Sequence, residues 1–117
     1  MRVYVATTAS NIKQLIDRGS AIFEEYLTPA QFEFDAEVGE EEREHLVSQL
    51  AADDSLELNS GKASFVLALD LTDEQLNGDS VEVKFSQIAA LLHSEDGDEL
   101  SWFAPEEIAF NIDNWVS

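Results

Sequence analysis

The sequence predicts an α+β fold, one small domain in which helices pack on a mixed or antiparallel sheet. Three observations carry that prediction. Ala63–Leu71 (ASFVLALDL) has seven apolar residues in nine, a run that fits a strand covered on both faces. Strand-like alternation recurs at Arg2–Ala6 and Val81–Phe85, whereas Ile12, Leu15 and Ile16, or Ile108, Ile112 and Trp115, keep helical spacing. No repeat or linker divides the 117 residues, a length that suits one domain.

In chain order, Arg2–Ala6 reads as a strand with Val3 and Val5 on one face and Tyr4 on the other. Thr7 or Thr8 caps a helix running to Arg18, and Gly19 supplies its left-handed stop. Ile22–Leu27 reads as a short strand. Two local rules then conflict. Thr28-Pro29-Ala30-Gln31 is a capping box with proline at the first helical position, yet Phe32, Phe34, Ala36 and Val38 alternate with acids as a strand would. Gly39–Asp54 is the clearest helix, with Glu40, Glu41 and Glu42 at its positive end. Its expected buried stripe is Leu46, Val47, Leu50 and Ala51, with Glu41, Glu44 and Ser48 facing water.

Thr72–Gln75 is a second capping box, cut short by Asn77-Gly78. After the Val81–Phe85 strand, Ser86 is expected to cap a short helix through Ile88, Ala89, Leu91 and Leu92. His93 would sit at its C-terminus as a favourable cation. Ser94–Asp98 reads as an acidic turn, Glu99–Ala104 as a strand, and Pro105 as the first residue of a final helix.

Charge is the extreme feature. Twenty-five acidic residues against six basic ones give a net charge of −19, and the acids are spread along the whole chain. Such a surface repels nucleic acid and anionic membranes and speeds encounter with basic partners. There is no cysteine, which excludes disulfides, thiol nucleophiles and thiolate metal sites. No signal-peptide h-region and no apolar stretch of membrane-spanning length appear, so a cytoplasmic protein is expected.

Three stretches, MRVYVATT at the start, Leu27-Thr28-Pro29, and Glu99–Ala104 (ELSWFA), together resemble a family of small actinobacterial proteins of unknown function. Its members open with MRVYVPAT and carry a segment like ELLWYATQEL near the end. Ala6 stands where the family usually has proline, and the chain stops earlier than many members. The resemblance implies a cytoplasmic actinobacterial protein and favours helix after Pro29. It transfers no catalytic residue.

Several constellations invite chemistry, and each has a plainer explanation. Glu42-x-x-His45 is half of a di-iron pair, present once where two are needed, and reads as a solvated helix face. Glu95–Glu99 crowds four carboxylates round a glycine but lacks EF-hand spacing. Asp53 and Asp54 are candidates for an acid–base couple with Asp70 or Asp73, but in so acidic a chain neighbouring carboxylates arise by chance. Asp70 interrupts the most apolar strand, so it is the candidate for a pocket carboxylate if its side chain faces inward. The glycines are all isolated, which excludes phosphate-binding glycine loops. Trp102 and Phe103 lie on opposite faces of their strand, and whichever face is open offers an aromatic contact.

These features point first to a non-catalytic acidic interaction module for a basic protein partner, with Trp102, Phe103, Glu41 and Glu44 as contact candidates. A narrower version is a nucleic-acid mimic, which needs carboxylates in rows at phosphate-like spacing. The alternative is a small enzyme or ligand-binding domain with a carboxylate-lined pocket around Asp70. A third is acidity that serves solubility alone. No cofactor, metal, membrane or direct nucleic-acid contact is expected, and the oligomeric state is open.

Overall fold

In the computed structural model, which describes residues 2–78, 80–95 and 100–116, the architecture is α+β with antiparallel sheets. The strands are β1 (Arg2–Thr7), β2 (Ser20–Phe23), β3 (Ser64–Asp70), β4 (Val81–Lys84), β5 (Ile88–Ser94) and β6 (Ser101–Phe103). The helices are α1 (Ala9–Arg18), α2 (Glu40–Leu58) and α3 (Pro105–Val116). A four-stranded sheet runs in the order β1-β3-β5-β6, and β2 pairs with β4 in a separate two-stranded ribbon.

The apolar run becomes β3, flanked on both sides by other strands. Alternation then sorts the sheet into two faces. Val3, Val5, Phe65, Leu67, Leu69 and Leu91 meet α1, α3 and the ribbon, while Tyr4, Val66, Ala68 and Ala90 meet α2. Every β3 residue from Ser64 to Leu69 is therefore buried, and only Asp70 emerges. This gives a helix layer, a sheet and a second helix layer, the expected way to cover two apolar faces.

The local signals at α1 are realised: Thr8 Oγ1 accepts a hydrogen bond from the Asn11 amide at 3.2 Å, and Gly19 has φ of 79°. Pro105 begins α3, whose Ile108 and Ile112 are buried and whose Trp115 packs on the same core. Thr72 and Gln75 form a full capping box, with Thr72 N donating to Gln75 Oε1 at 2.9 Å and Gln75 N to Thr72 Oγ1 at 3.3 Å. Only one 3₁₀ turn, Gln75–Asn77, follows.

Four expectations need correction. First, Ile88–Ser94 is a strand, not a helix, entered through a 3₁₀ turn at Phe85–Gln87. Leu91 and His93 face one side while Ala90 and Leu92 face the other, so this run fills the second edge of β3. Both sides of the run are apolar, and burial against β3 outweighs the helix propensity of its alanines and leucines. His93 is consequently a buried strand residue rather than a helix cap.

Second, the inward face of α2 keeps Val47 and Ala51 of the expected stripe but puts a row of small residues, among them the Ser48 expected to face water, in place of its leucines. Val47, Ser48, Ala51, Ala52 and Ser55 are buried, whereas Leu46 and Leu50 are 43% and 44% exposed. Small side chains let the helix axis come close to the sheet, and they do so through hydrogen bonds. Ser55 Oγ donates to Thr7 O at 2.7 Å and accepts from Phe65 N at 2.6 Å, and Ser64 Oγ donates to Ala52 O at 2.9 Å. Third, residues 30–38 are neither helix nor strand; a 3₁₀ turn at Pro29–Gln31 leads into bends. Arg43 anchors that loop by donating to Val38 O at 3.0 Å while lying 5.4 Å from the Phe34 ring centre. Fourth, the strand expected at Ile22–Leu27 covers Ser20–Phe23, and its distal part survives only as a bridge between Leu27 and Tyr4. The acidic turn at 94–98 falls largely outside the described residues.

Candidate interaction cleft

The free edge of β1 is where the acidic surface acquires shape. Leu27 reaches it by a pair of backbone hydrogen bonds, Tyr4 N to Leu27 O and Leu27 N to Tyr4 O, both 2.8 Å. This bridge sets Glu25, Tyr26 and Leu27 alongside the sheet. Across from them runs the C-terminal half of α2, whose Asp54, Glu57 and Leu58 fall at i, i+3 and i+4 and so share one flank. Between the two lies a cleft of about 340 Å³, walled by these residues with Tyr4 and Ala6 of β1.

Its charged lining is entirely carboxylate: Glu25, Asp54 and Glu57, beside two tyrosines and no lysine or arginine. Tyr26 is held from below by its hydroxyl, which donates to Leu76 O at 3.4 Å. The Tyr4 hydroxyl is pushed above the ordinary phenol range, chiefly by burial and then by the nearby Glu44 carboxylate, with Arg2 acting in the opposite sense. Tyr4 therefore stays neutral at physiological pH. A cleft with these walls offers a cation carboxylate groups and no competing positive charge.

The residues singled out from sequence scatter. Asp70 is exposed at the end of β3 and pairs across the strands with Arg2 at 2.8 Å, so it is a surface ion-pair partner and not a buried pocket carboxylate. Asp54 joins the cleft, but not with Asp70. Ala52 and Ser55 of α2 touch the opposite end of β3, at Ser64 and Phe65, about 16 Å from Asp70 at 3.3 Å per strand residue. Glu41 is exposed in the first turn of α2, and Glu44 is half-buried near Tyr4 and Arg2. Glu42 and His45 are both exposed, and among the described residues no group of three metal-ligating side chains comes together.

Trp102 and Phe103 do lie on opposite faces. Phe103 packs 5.2 Å from Trp115 and 6.2 Å from His93, whereas Trp102 is 61% exposed on the outermost strand. Trp102 is paired in register with Leu92, on the face that α2 covers over β1 and β3, beyond the helix's reach. The five charged and aromatic residues of the cleft come from three distant parts of the chain. Only the i, i+3 spacing of Asp54 and Glu57 signals it in the sequence.

The fold and cleft define an α+β domain with a carboxylate-lined groove at a sheet edge. No protein-family model, curated protein or solved structure matches the chain.

Proposed function

We propose that the protein is a non-catalytic acidic interaction module that binds a basic protein partner and seats a lysine or arginine side chain in the cleft between Tyr26 and α2. The carrying observation is that cleft: three carboxylate residues, Glu25, Asp54 and Glu57, line a space of about 340 Å³ without a basic residue among them. The distributed charge of −19 supplies long-range steering toward a basic surface, and the cleft supplies a place for one side chain to be desolvated. Trp102 adds an apolar contact at the far edge of the sheet. On this reading the encounter is cytoplasmic, which is what the resemblance of MRVYVATT and ELSWFA to a small actinobacterial family implies.

The test is a titration of the labelled protein with an arginine-rich peptide, followed by backbone amide shifts at low and at high salt. Saturable shifts of Tyr4, Tyr26, Leu27, Asp54 and Glu57 that weaken as salt rises support the reading. Shifts spread evenly over all acidic segments reduce the acidity to a solubilising role.

A further inference from the structure

Asn77-Gly78 closes the short turn that follows the second capping box. Three backbone bonds hold that turn: Gln75 N to Thr72 O and Leu76 N to Asp73 O, both at 3.1 Å, and Asn77 N to Glu74 O at 3.4 Å. The last is the longest and lies beyond the usual amide range, so the turn is weakest at Asn77. Asn77 and Gly78 are both exposed. Among the described residues neither the Asn77 side chain nor the Gly78 amide has a hydrogen-bond partner.

The other four asparagines differ in both respects. None precedes a glycine: Ile12, Ser60, Ile112 and Trp115 follow them. The amide after Asn11 is committed to α1, with Ile12 N donating to Thr8 O at 3.1 Å. Asn111 and Asn114 lie inside α3, where the next amide donates within the helix. Asn59 is tied down twice. Its Nδ2 donates to Ser55 O at 2.8 Å, and the following Ser60 N donates to Glu57 O at 3.2 Å.

We propose that Asn77 is a site of spontaneous covalent modification, converted in the folded protein to aspartate and isoaspartate. The Gly78 amide nitrogen gives up its proton to solvent and attacks the Asn77 side-chain carbonyl carbon. The carbon–nitrogen bond of the side-chain amide breaks and ammonia leaves, closing a five-membered succinimide. Water then adds to one of the two ring carbonyls, which restores an open chain as aspartate or as isoaspartate. The net change is one water consumed and one ammonia released, with no oxidant or reductant. Glycine at the attacking position has no Cβ to obstruct the approach, and an unpaired amide loses no hydrogen bond in making it.

Each product puts a carboxylate where an amide stood, in a chain already at −19. Isoaspartate also routes the main chain through the former side chain, adding one methylene between Leu76 and β4. Leu76 O accepts from the Tyr26 hydroxyl at 3.4 Å, and Gln75 Nε2 donates to Glu82 O at 3.0 Å. The modification therefore falls on the strut behind Tyr26 and the β2–β4 ribbon, and it is independent of what the acidic cleft binds.

The experiment incubates the folded protein at neutral and at mildly alkaline pH in water enriched in heavy oxygen, then maps its peptides by mass spectrometry under acid. The Asn77 peptide is expected to change from amide to acid, to take up one heavy oxygen, and to separate into aspartate and isoaspartate forms. Conversion is expected to be faster at the alkaline pH, because the attacking amide must lose its proton. Over a time that converts most of Asn77, Asn11, Asn59, Asn111 and Asn114 are expected to remain amides. In urea, where the bonds of Asn59 are gone, Asn59 is expected to convert as well, which separates the effect of the fold from that of the local sequence. Gly78→Ala suits the backbone, at φ −105° and ψ 177° with the added Cβ no closer than 3.4 Å to another atom, and is expected to abolish the product over the same time. Retention of the Asn77 amide in the folded protein while it converts in urea, or a Gly78→Ala protein that converts as fast as its parent, overturns the proposal.

Discussion

Replacing Ser55 by alanine probes the contact that fixes α2 to the sheet. Thr7 and Phe65 are register partners, yet the Ser55 hydroxyl stands between them, donating to Thr7 O at 2.7 Å and accepting from Phe65 N at 2.6 Å. Ser55 is fully buried, so no water replaces what is removed. Thr7 O keeps a 3.3 Å bond from Asn59 Nδ2, but Phe65 N loses this acceptor. A neutral hydrogen bond contributes about 1 kcal/mol net, and an unsatisfied buried amide costs about 1–3 kcal/mol, so Ser55→Ala should destabilise by about 3 kcal/mol. That is a large share of the roughly 5–15 kcal/mol that holds such a domain, and about 10 °C in Tm at this length. The control is Ser64→Ala, which removes a single bond to Ala52 O, a carbonyl already inside a helix. It should cost about 1 kcal/mol. Urea unfolding of the three proteins measures the difference. A Ser55→Ala cost no greater than that of Ser64→Ala would refute the bridging role and show that the two strands close directly.

Two further predictions follow from burial and from charge. Leu67 is fully buried at the centre of β3 and Leu50 is 44% exposed on α2, so Leu67→Ala should cost about 2–5 kcal/mol. Leu50→Ala should cost well under half of that, and equal costs by urea unfolding would restore the leucine stripe that α2 turns outward. The Tyr4 phenol is raised above 10.0 in the folded protein, so the fold binds that proton more tightly than the unfolded chain does. The associated stability is complete below pH 10 and is lost as pH rises through the folded value. Thermal scans from neutral to alkaline pH should show a decline that is shallower in Tyr4→Phe, and identical profiles would remove the coupling.

Legibility in the sequence followed how local the deciding interaction was. The first strand, α1 and α3 were readable because alternation, a threonine cap, a left-handed glycine and an N-terminal proline act within a few residues. The Ile88–Ser94 strand was not, because Ile88, Ala89, Leu91 and Leu92 satisfy helical spacing and two-sided burial equally. The decision came from β3, two dozen residues away, which needed a second neighbour. The inward face of α2 is only partly legible, in Val47 and Ala51, for a related reason. Apolar residues occur all round that helix, and the inward face was chosen by serines and alanines that bond or pack close to the sheet. Of the acidic cleft, only Asp54 stands out in the sequence, and there beside Asp53, Asp70 and Asp73 rather than Glu25 and Glu57. A bridge at Leu27 and a helix flank assemble it, and neither has a local signature. In the sequence His93 reads as a charge at a helix end, whereas its place is a buried aromatic stack.

The most direct measurement compares two charge-matched triple variants for binding to the same arginine-rich peptide by titration calorimetry. Glu25→Gln, Asp54→Asn and Glu57→Gln empty the cleft of charge, and Glu40→Gln, Glu41→Gln and Glu42→Gln remove the same charge from the exposed start of α2. A site-specific groove predicts that the first triple loses about tenfold or more in affinity while the second changes mainly the association rate and its salt dependence. Equal losses in the two would contradict a defined cleft and leave only the diffuse field of an acidic surface.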